Sequence, residues 1–417
     1  MNIKWRAASV GLLFAAGTSL VGCTTAADDS DADTAGSSTQ SSTSASAAEE
    51  TGPIVIGHTA GMTGFMSVFD GPVEQGMQMA IDDINADGGV LGRQLKLISN
   101  DNATDATKIQ TAAKEIIEQG AQFVVPSCDY DIGGPAAREA LAENVIAIGC
   151  AGGPEFGYDG VGANTYNTHT SSPYEGSVMA QWAHDQGYQR PFVIVDDTLE
   201  YSEVAADSFI SEWESLGGSI VGQDTFQSGD QSAASQVANI VKADPDVIII
   251  GSYPPGGAVV IQQIRSAGID TDMMGLQAFD GTYWLDSIPD LSDFYIPAMA
   301  SMWGDDPRAE INEFFQRIED ETGEPAASGF YPLSGYSSVQ ALATAITAAG
   351  TTETAAVEAA LDTFTAEDLL VGPTTYTSTC HIPSARPTYF LRYTDGKPAL
   401  VSDKGVTLDE LPGGNPC

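Results

Sequence analysis

From Pro53 onward, short runs of β-branched and other apolar residues alternate with stretches whose apolar residues recur at helical spacing. The runs cover 54–57, 95–99, 123–125, 145–148, 192–195 and 247–250. Near-continuous apolar strands belong to parallel sheets covered on both faces, because a strand with one wet face alternates polar with apolar. Between the first two runs, Val73, Met77, Ala80, Ile81 and Ile84 share one helical face. Between the next two, Ile109, Ala113, Ile116 and Ile117 do so. These stripes are core positions. Asn85-Ala86-Asp87-Gly88-Gly89 supplies the turn formers that stop the first helix, and Asp244-Pro245-Asp246 marks the boundary before Val247. The pattern runs once from Pro53 to about Thr170 and again from about Ser171 to Met299. This predicts an α/β chain of two doubly wound parallel-sheet lobes. Ligands of such sheets bind beyond the carboxyl ends of the strands, so the loops that follow the strands are where a site is expected.

The chain has 417 residues, 42% of them hydrophobic, enough for two ordinary cores. Lys and Arg total 16 against 57 Asp and Glu, a formal charge of −41. Such a surface repels phosphate backbones, which argues against a nucleic-acid partner, and it offers no basic patch to anionic lipid. At the start of the chain, Lys4 and Arg6 precede an apolar run over 7–16, too short for a bilayer span and suited to a secretory signal peptide. Leu20-Val21-Gly22-Cys23 follows and resembles a bacterial lipobox. The expectation is a signal peptide over 1–22, a lipidated Cys23, and a membrane association made through that lipid alone. Residues 24–51 are Asp, Ser, Thr, Ala, Gly and Glu with almost no large apolar side chain, the composition of a disordered tether. The expected location is extracytoplasmic, on the outer face of the cell membrane.

The loops carry a family resemblance. Gly61-Met62-Thr63-Gly64, followed by Met77-Gln78-Met79-Ala80-Ile81-Asp82-Asp83-Ile84-Asn85-Ala86-Asp87-Gly88-Gly89-Val90-Leu91-Gly92-Arg93, resembles the opening of the branched-chain amino acid binding proteins. These are type I periplasmic solute-binding proteins of ABC transporters. Further matches follow in order: Asn100-Asp101-Asn102 with Asp105, Tyr201-Ser202 and Phe209 after Asp196-Asp197, Pro245-Asp246 before a strand ending in Gly251-Ser252-Tyr253, and Gly335-Tyr336 before an Ala-rich helix. The resemblance implies a flytrap of two lobes joined by a three-strand hinge. Lobe 1 takes 53–170 and 300–370, and lobe 2 takes 171–299 and 371–417, with 23–52 as the lipidated tether. It also implies a small-molecule ligand, an ABC transporter permease as partner, and a monomer.

By the same resemblance, amino-acid binders hold the ligand carboxylate on hydroxyls and backbone N–H groups of lobe 1, and the ammonium on an acid of lobe 2. Tyr130 and Gly153 stand here at hydroxyl positions, and the backbone of Ala151, Gly152 and Gly153 remains able to take an anion. An ordinary Gly-rich turn is the alternative for that loop. Gln277 stands at the acidic position, with Asp280 three residues on as a substitute or a solvated loop residue. A ligand without a required ammonium is therefore expected, because a buried unpaired charge is expensive. Phe69, Tyr201 and Tyr253 fall at pocket-lining positions of the family, and Phe65 and Phe279 lie on the same loops. A small, partly hydrophobic or aromatic molecule, carboxylate or neutral polar, is the expected ligand. An amino acid, or a role presenting ligand to a membrane sensor, stays open.

G-x-x-x-x-G-K-[ST], G-x-S-x-G and H-E-x-x-H do not occur, and His58, His169, His184 and His381 are widely spaced. No catalytic residue, metal or cofactor is expected. A hydrolase using buried carboxylates is the remaining enzymatic alternative. With Cys23 set aside, Cys128, Cys150, Cys380 and Cys417 allow three pairings. Cys128 and Cys150 each follow a strand, and those strands should be neighbours, so Cys128–Cys150 is expected. Cys380–Cys417 follows by elimination.

Overall fold

The computed structural model describes residues 52–408 apart from 106, 154–160, 163, 199, 384 and 385. Five parallel strands form the first sheet: β1 (Ile54–Ala60), β2 (Leu95–Asp101), β3 (Phe123–Pro126), β4 (Ile146–Gly149) and β5 (Thr165–Asn167), in the order β2-β1-β3-β4-β5. The second sheet is built on β6 (Pro191–Asp196), β7 (Gly222–Phe226), β8 (Val247–Gly251), β9 (Asp272–Gly275) and β10 (Phe294–Ala298), again parallel. Its order places β8 between β9 and β6, with β7 at the edge. The fold is α/β with two doubly wound sheets. Of the strands predicted from apolar runs, β3, β4, β6 and β8 are buried along their whole length and β1 in all but Val55, while β2, at the edge of its sheet, is mostly half-buried or exposed.

The helix α1 (Ser67–Ala86) buries Phe69, Val73, Met77, Ala80, Ile81 and Ile84, the expected stripe. It ends where expected, with Gly88 and Gly89 at φ +106° and +77° beyond it. After α2 (Ile109–Glu118), α3 (Tyr130–Ala142) and α4 (Ser172–Gln186), the second lobe supplies α5 (Glu200–Ser215), α6 (Ala234–Ala243) and α7 (Gly256–Ser266). The chain then returns to the first core with α8 (Ala309–Thr322), α9 (Phe330–Ala349) and α10 (Thr354–Leu361). The short pair β11 (Glu367–Leu369) and β12 (Gly372–Thr374) follows, and β13 (Tyr389–Thr394) and β14 (Lys397–Leu400) then add an antiparallel hairpin beside β10. Among the described residues the chain therefore passes between the two sheets three times, near 167–172, 298–308 and 374–389.

Two glycines set how closely α1 and α9 approach. A Cβ on Gly76 would stand 1.9 Å from the Pro332 carbonyl oxygen, and one on Gly335 would stand 2.0 Å from that of Val73. The helices thus touch backbone to backbone, as only glycine permits. Asp83, its side chain 39% exposed, takes an ion pair from Arg317 of α8 at 2.7 Å and a hydrogen bond from Tyr336 of α9 at 3.1 Å.

Among the described residues, no helix is long and apolar enough to cross a membrane. Cys23 and Cys417 lie outside the described residues.

Candidate functional site

Both sheets turn their carboxyl edges to one cleft, which encloses about 510 Å³ with its open mouth included. The first sheet contributes Met66 and Phe69 after β1, Asp129 and Tyr130 after β3, and Ala151 and Gly152 after β4. The second contributes Tyr201 after β6, Tyr253 after β8, and Gln277 with Ala278 after β9. His169 and Ser172 enter from the first crossing, and Phe330 and Tyr331 from the start of α9. The positions follow from topology, since loops at strand ends converge where the strand order reverses.

Of the residues singled out in the sequence, Phe69, Tyr130, Ala151, Gly152, Tyr201, Tyr253 and Gln277 come together around this cleft. The other four lie elsewhere. Phe65 is 41% exposed and stacks on Tyr253 with ring centroids 6.1 Å apart. Gly153 packs against Tyr130, where a Cβ would fall 2.4 Å from the ring. The ring at 130 and the missing side chain at 153 are thus one adjustment. Phe279 is fully buried in the second core against Trp284 and Phe294, at 5.1 and 5.4 Å. A single 3₁₀ turn over Gln277–Phe279 separates it from its cleft-lining neighbours. Asp280 is buried as a cap on α9, its Oδ2 accepting the Gly329 and Phe330 N–H groups at 2.8 and 3.0 Å. Burial raises its carboxyl to about 7.

Several cleft residues escaped the sequence reading. His169 places Nε2 2.7 Å from the Gln277 side-chain amide, and its Nδ1 bonds the Thr170 carbonyl. Burial, with the Arg386 charge adding to it, pushes His169 down to about 4, so the ring is neutral near pH 7. Glu175, in the first turn of α4, accepts the Gln277 backbone N–H at 2.6 Å and the Tyr201 hydroxyl at 2.9 Å. Burial raises it to about 7. Asp129 caps α3 by accepting the Ile132 N–H at 2.9 Å, and burial followed by the neighbouring Asp131 raises it to about 7. The signal for the first crossing was its composition: Asn164-Thr165-Tyr166-Asn167-Thr168-His169-Thr170-Ser171-Ser172 is a dense polar run, and every member is buried.

The walls are aromatic. Phe69 meets Tyr253 edge-on at 5.9 Å and Tyr331 at 5.0 Å, and Tyr201 lies 6.5 Å from Tyr253. Across the mouth, the Asp131 carboxylate of α3 accepts the Glu200 N–H that opens α5 at 3.3 Å. Cys128 and Cys150 form a disulfide with Cα atoms 5.0 Å apart, joining the loops after the paired strands β3 and β4. Cys380 is disulfide-bonded as well, and its expected partner Cys417 lies outside the described residues. Among the described residues, no group of His, Cys, Asp and Glu is arranged to hold a metal.

Comparison with known proteins gives the fold a family. The periplasmic binding protein family model matches residues 53–398. "Leu/Ile/Val-binding protein homolog 3" of Brucella melitensis is 24% identical over 361 residues, which is 82% of this chain and 92% of the relative. "Leu/Ile/Val-binding protein BraC3" of Rhizobium johnstonii is 25% identical over 347 residues, covering 79% and 89%. Among solved structures, the branched-chain amino acid transporter substrate binding protein LivJ from Streptococcus pneumoniae, in complex with isoleucine, superposes with a TM-score of 0.75 at 20% identity. It covers 85% of this chain and 100% of its own. A solute binding protein of an ABC transporter from R. palustris, in complex with benzoate, gives 0.74 at 16% identity over 86% and 99%. These families bind solutes and are not enzymes. The two facing sheets, the cleft between their carboxyl edges and the matched model together make this chain a periplasmic binding protein of the branched-chain amino acid binding family, a type I solute-binding protein of ABC transporters.

Proposed function

We propose that this chain is the extracytoplasmic solute-binding lipoprotein of an ABC importer, carrying a small, partly hydrophobic or aromatic molecule between two lobes. Lobe 1 takes 53–170 and 300–370, lobe 2 takes 171–299 and 371–417, and Cys23 carries the anchoring lipid. The observation that supports this most directly is the cleft, whose lining comes from both sheets and from a chain that crosses between them three times. A site divided in this way closes by hinge rotation, so ligand and closure are linked. Phe69, Tyr201, Tyr253 and Tyr331 supply apolar area for the body of the ligand. Relatives named for Leu, Ile and Val, and structural neighbours holding isoleucine or benzoate, agree with a solute of that size and character.

The test is mass spectrometry of small molecules released by denaturing the protein purified from its own membrane, followed by calorimetry with the compound found. A stoichiometric solute that rebinds supports the reading. A protein that retains nothing and binds no solute of this class would overturn it.

A further inference from the structure

The hydrogen-bond chain behind the cleft fixes which kind of group the cleft presents. The Thr170 carbonyl can only accept, so the His169 Nδ1 bonded to it carries the proton. The ring is neutral, so Nε2 is a bare acceptor. As placed, the Gln277 amide turns Oε1 to that nitrogen at 2.7 Å, which sets two acceptors face to face. The two ends of an amide have nearly the same shape, and hydrogen bonding decides its orientation. Rotating it by half a turn lets the NH₂ donate to His169 and moves the carbonyl oxygen to the opposite position. That position has no partner among the described residues, and Gln277, only 4% exposed, lines the cleft. Turned this way, the Gln277 side chain holds an acceptor, not a donor, in the position that no described protein group fills.

The rest of the lining agrees. Asp129 is its one formally charged residue among the described residues, and neither Lys nor Arg lines it. Glu175 stands directly behind Tyr201 and Gln277. The ring faces of Phe69, Tyr201, Tyr253 and Tyr331 carry the negative side of their quadrupoles. Resting on the reading of this cleft as the solute site, and reversing the expectation of a ligand without an ammonium, which follows from Gln277 when Asp129 is not counted in the lining, we infer that its ligand is an organic amine: a cationic head hydrogen-bonded to Gln277 and paired with Asp129, an apolar or aromatic body among the rings, and no carboxylate. A ligand carboxylate beside Asp129 would meet a like charge or hold that carboxyl protonated, which costs affinity once closure expels water.

The test pairs molecules that share a body. Phenethylamine is compared with hydrocinnamate and phenylalanine, and isoamylamine with isocaproate and leucine, by calorimetry near neutral pH on the delipidated full chain. The expected result is that each amine binds at least roughly tenfold more tightly than its acid and its zwitterion. Asp129→Asn, which keeps the helix cap, and Gln277→Leu should each weaken amine binding by about tenfold, with melting curves reporting that the fold is intact. Equal or tighter binding of an acid or zwitterion, or amine affinity unchanged in Asp129→Asn, overturns the amine and leaves the solute-binding role standing. Failure of every member of the panel, with a non-amine solute released from the native protein, overturns it equally. A protein that binds and retains no solute at all removes the reading beneath it.

Discussion

Arg386 donates from Nη1 to the Thr168 carbonyl at 2.6 Å, tying the third crossing between the lobes to the first. The same nitrogen reaches Met299 Sδ of the second crossing at 3.5 Å, and Nη2 donates to Thr374 Oγ1 at 2.7 Å. One buried side chain thus touches every segment that joins the two sheets. Burial pulls its guanidinium down to about 10, which still leaves it charged near neutral pH. Arg386→Met removes the donors but fills the space. Each buried oxygen left without a donor costs about 1–3 kcal/mol, so a loss on the order of 2–4 kcal/mol is expected in urea unfolding.

Glu175 and Asp280 make stability depend on pH. Both are buried carboxyls raised to about 7, so each binds its proton more tightly folded than unfolded. Their contribution is complete below the ordinary carboxylate range and is lost as pH rises through about 7. One pKa unit corresponds to about 1.4 kcal/mol, which puts each on the order of 3–4 kcal/mol. The melting temperature of the ligand-free protein should fall between pH 5 and pH 8, and Glu175→Gln or Asp280→Asn should flatten that slope. A slope unchanged in both variants would contradict the assignment.

Gly76→Ala should destabilise the protein by about 3 kcal/mol, because its methyl would meet the Pro332 carbonyl, and backbone on both sides leaves little room to yield. Gly71→Ala, five residues earlier on α1, meets nothing within 4 Å and should stabilise by up to about 1 kcal/mol through helix propensity. Calorimetric melting of the two variants side by side checks the contrast.

Cys23→Ala should move the protein from the membrane fraction to the soluble one, and intact mass measurement should find the diacylglyceryl group on wild type alone. A variant that stays with the membrane would point to an anchor elsewhere.

Six parallel strands, β1 to β4, β6 and β8, were legible from their apolar runs, and all of these but β2 are covered on both faces, which leaves few polar positions to disguise a strand. The edge strand β7, Gly-Gln-Asp-Thr-Phe, hides behind its exposed Gln223 and Thr225, and β10 carries Pro297. The β13–β14 hairpin carries its signal in Asp395-Gly396, whose φ values of 48° and 70° are those of a tight hairpin turn. The cleft residues read from the sequence sit on loops whose position topology dictates. His169 and Glu175 were not legible, because a hydrogen-bond chain from Thr170 through Gln277 to Tyr201 has no sequence period. Nor does sequence distance tell Gln277 from Phe279, which one 3₁₀ turn sends to different surroundings.

The Cys128–Cys150 bond has a bearing on how the trap works. It fastens together the two loops that carry Asp129, Tyr130, Ala151 and Gly152, so one jaw of the site is covalently set before any solute arrives. The entropy of ordering then falls on the jaw that carries Tyr201, Tyr253 and Gln277. Capture becomes a one-sided event, an anvil awaiting a hammer. Reducing agent should act on it mainly by letting bound solute escape sooner, with little change in how fast it first lands.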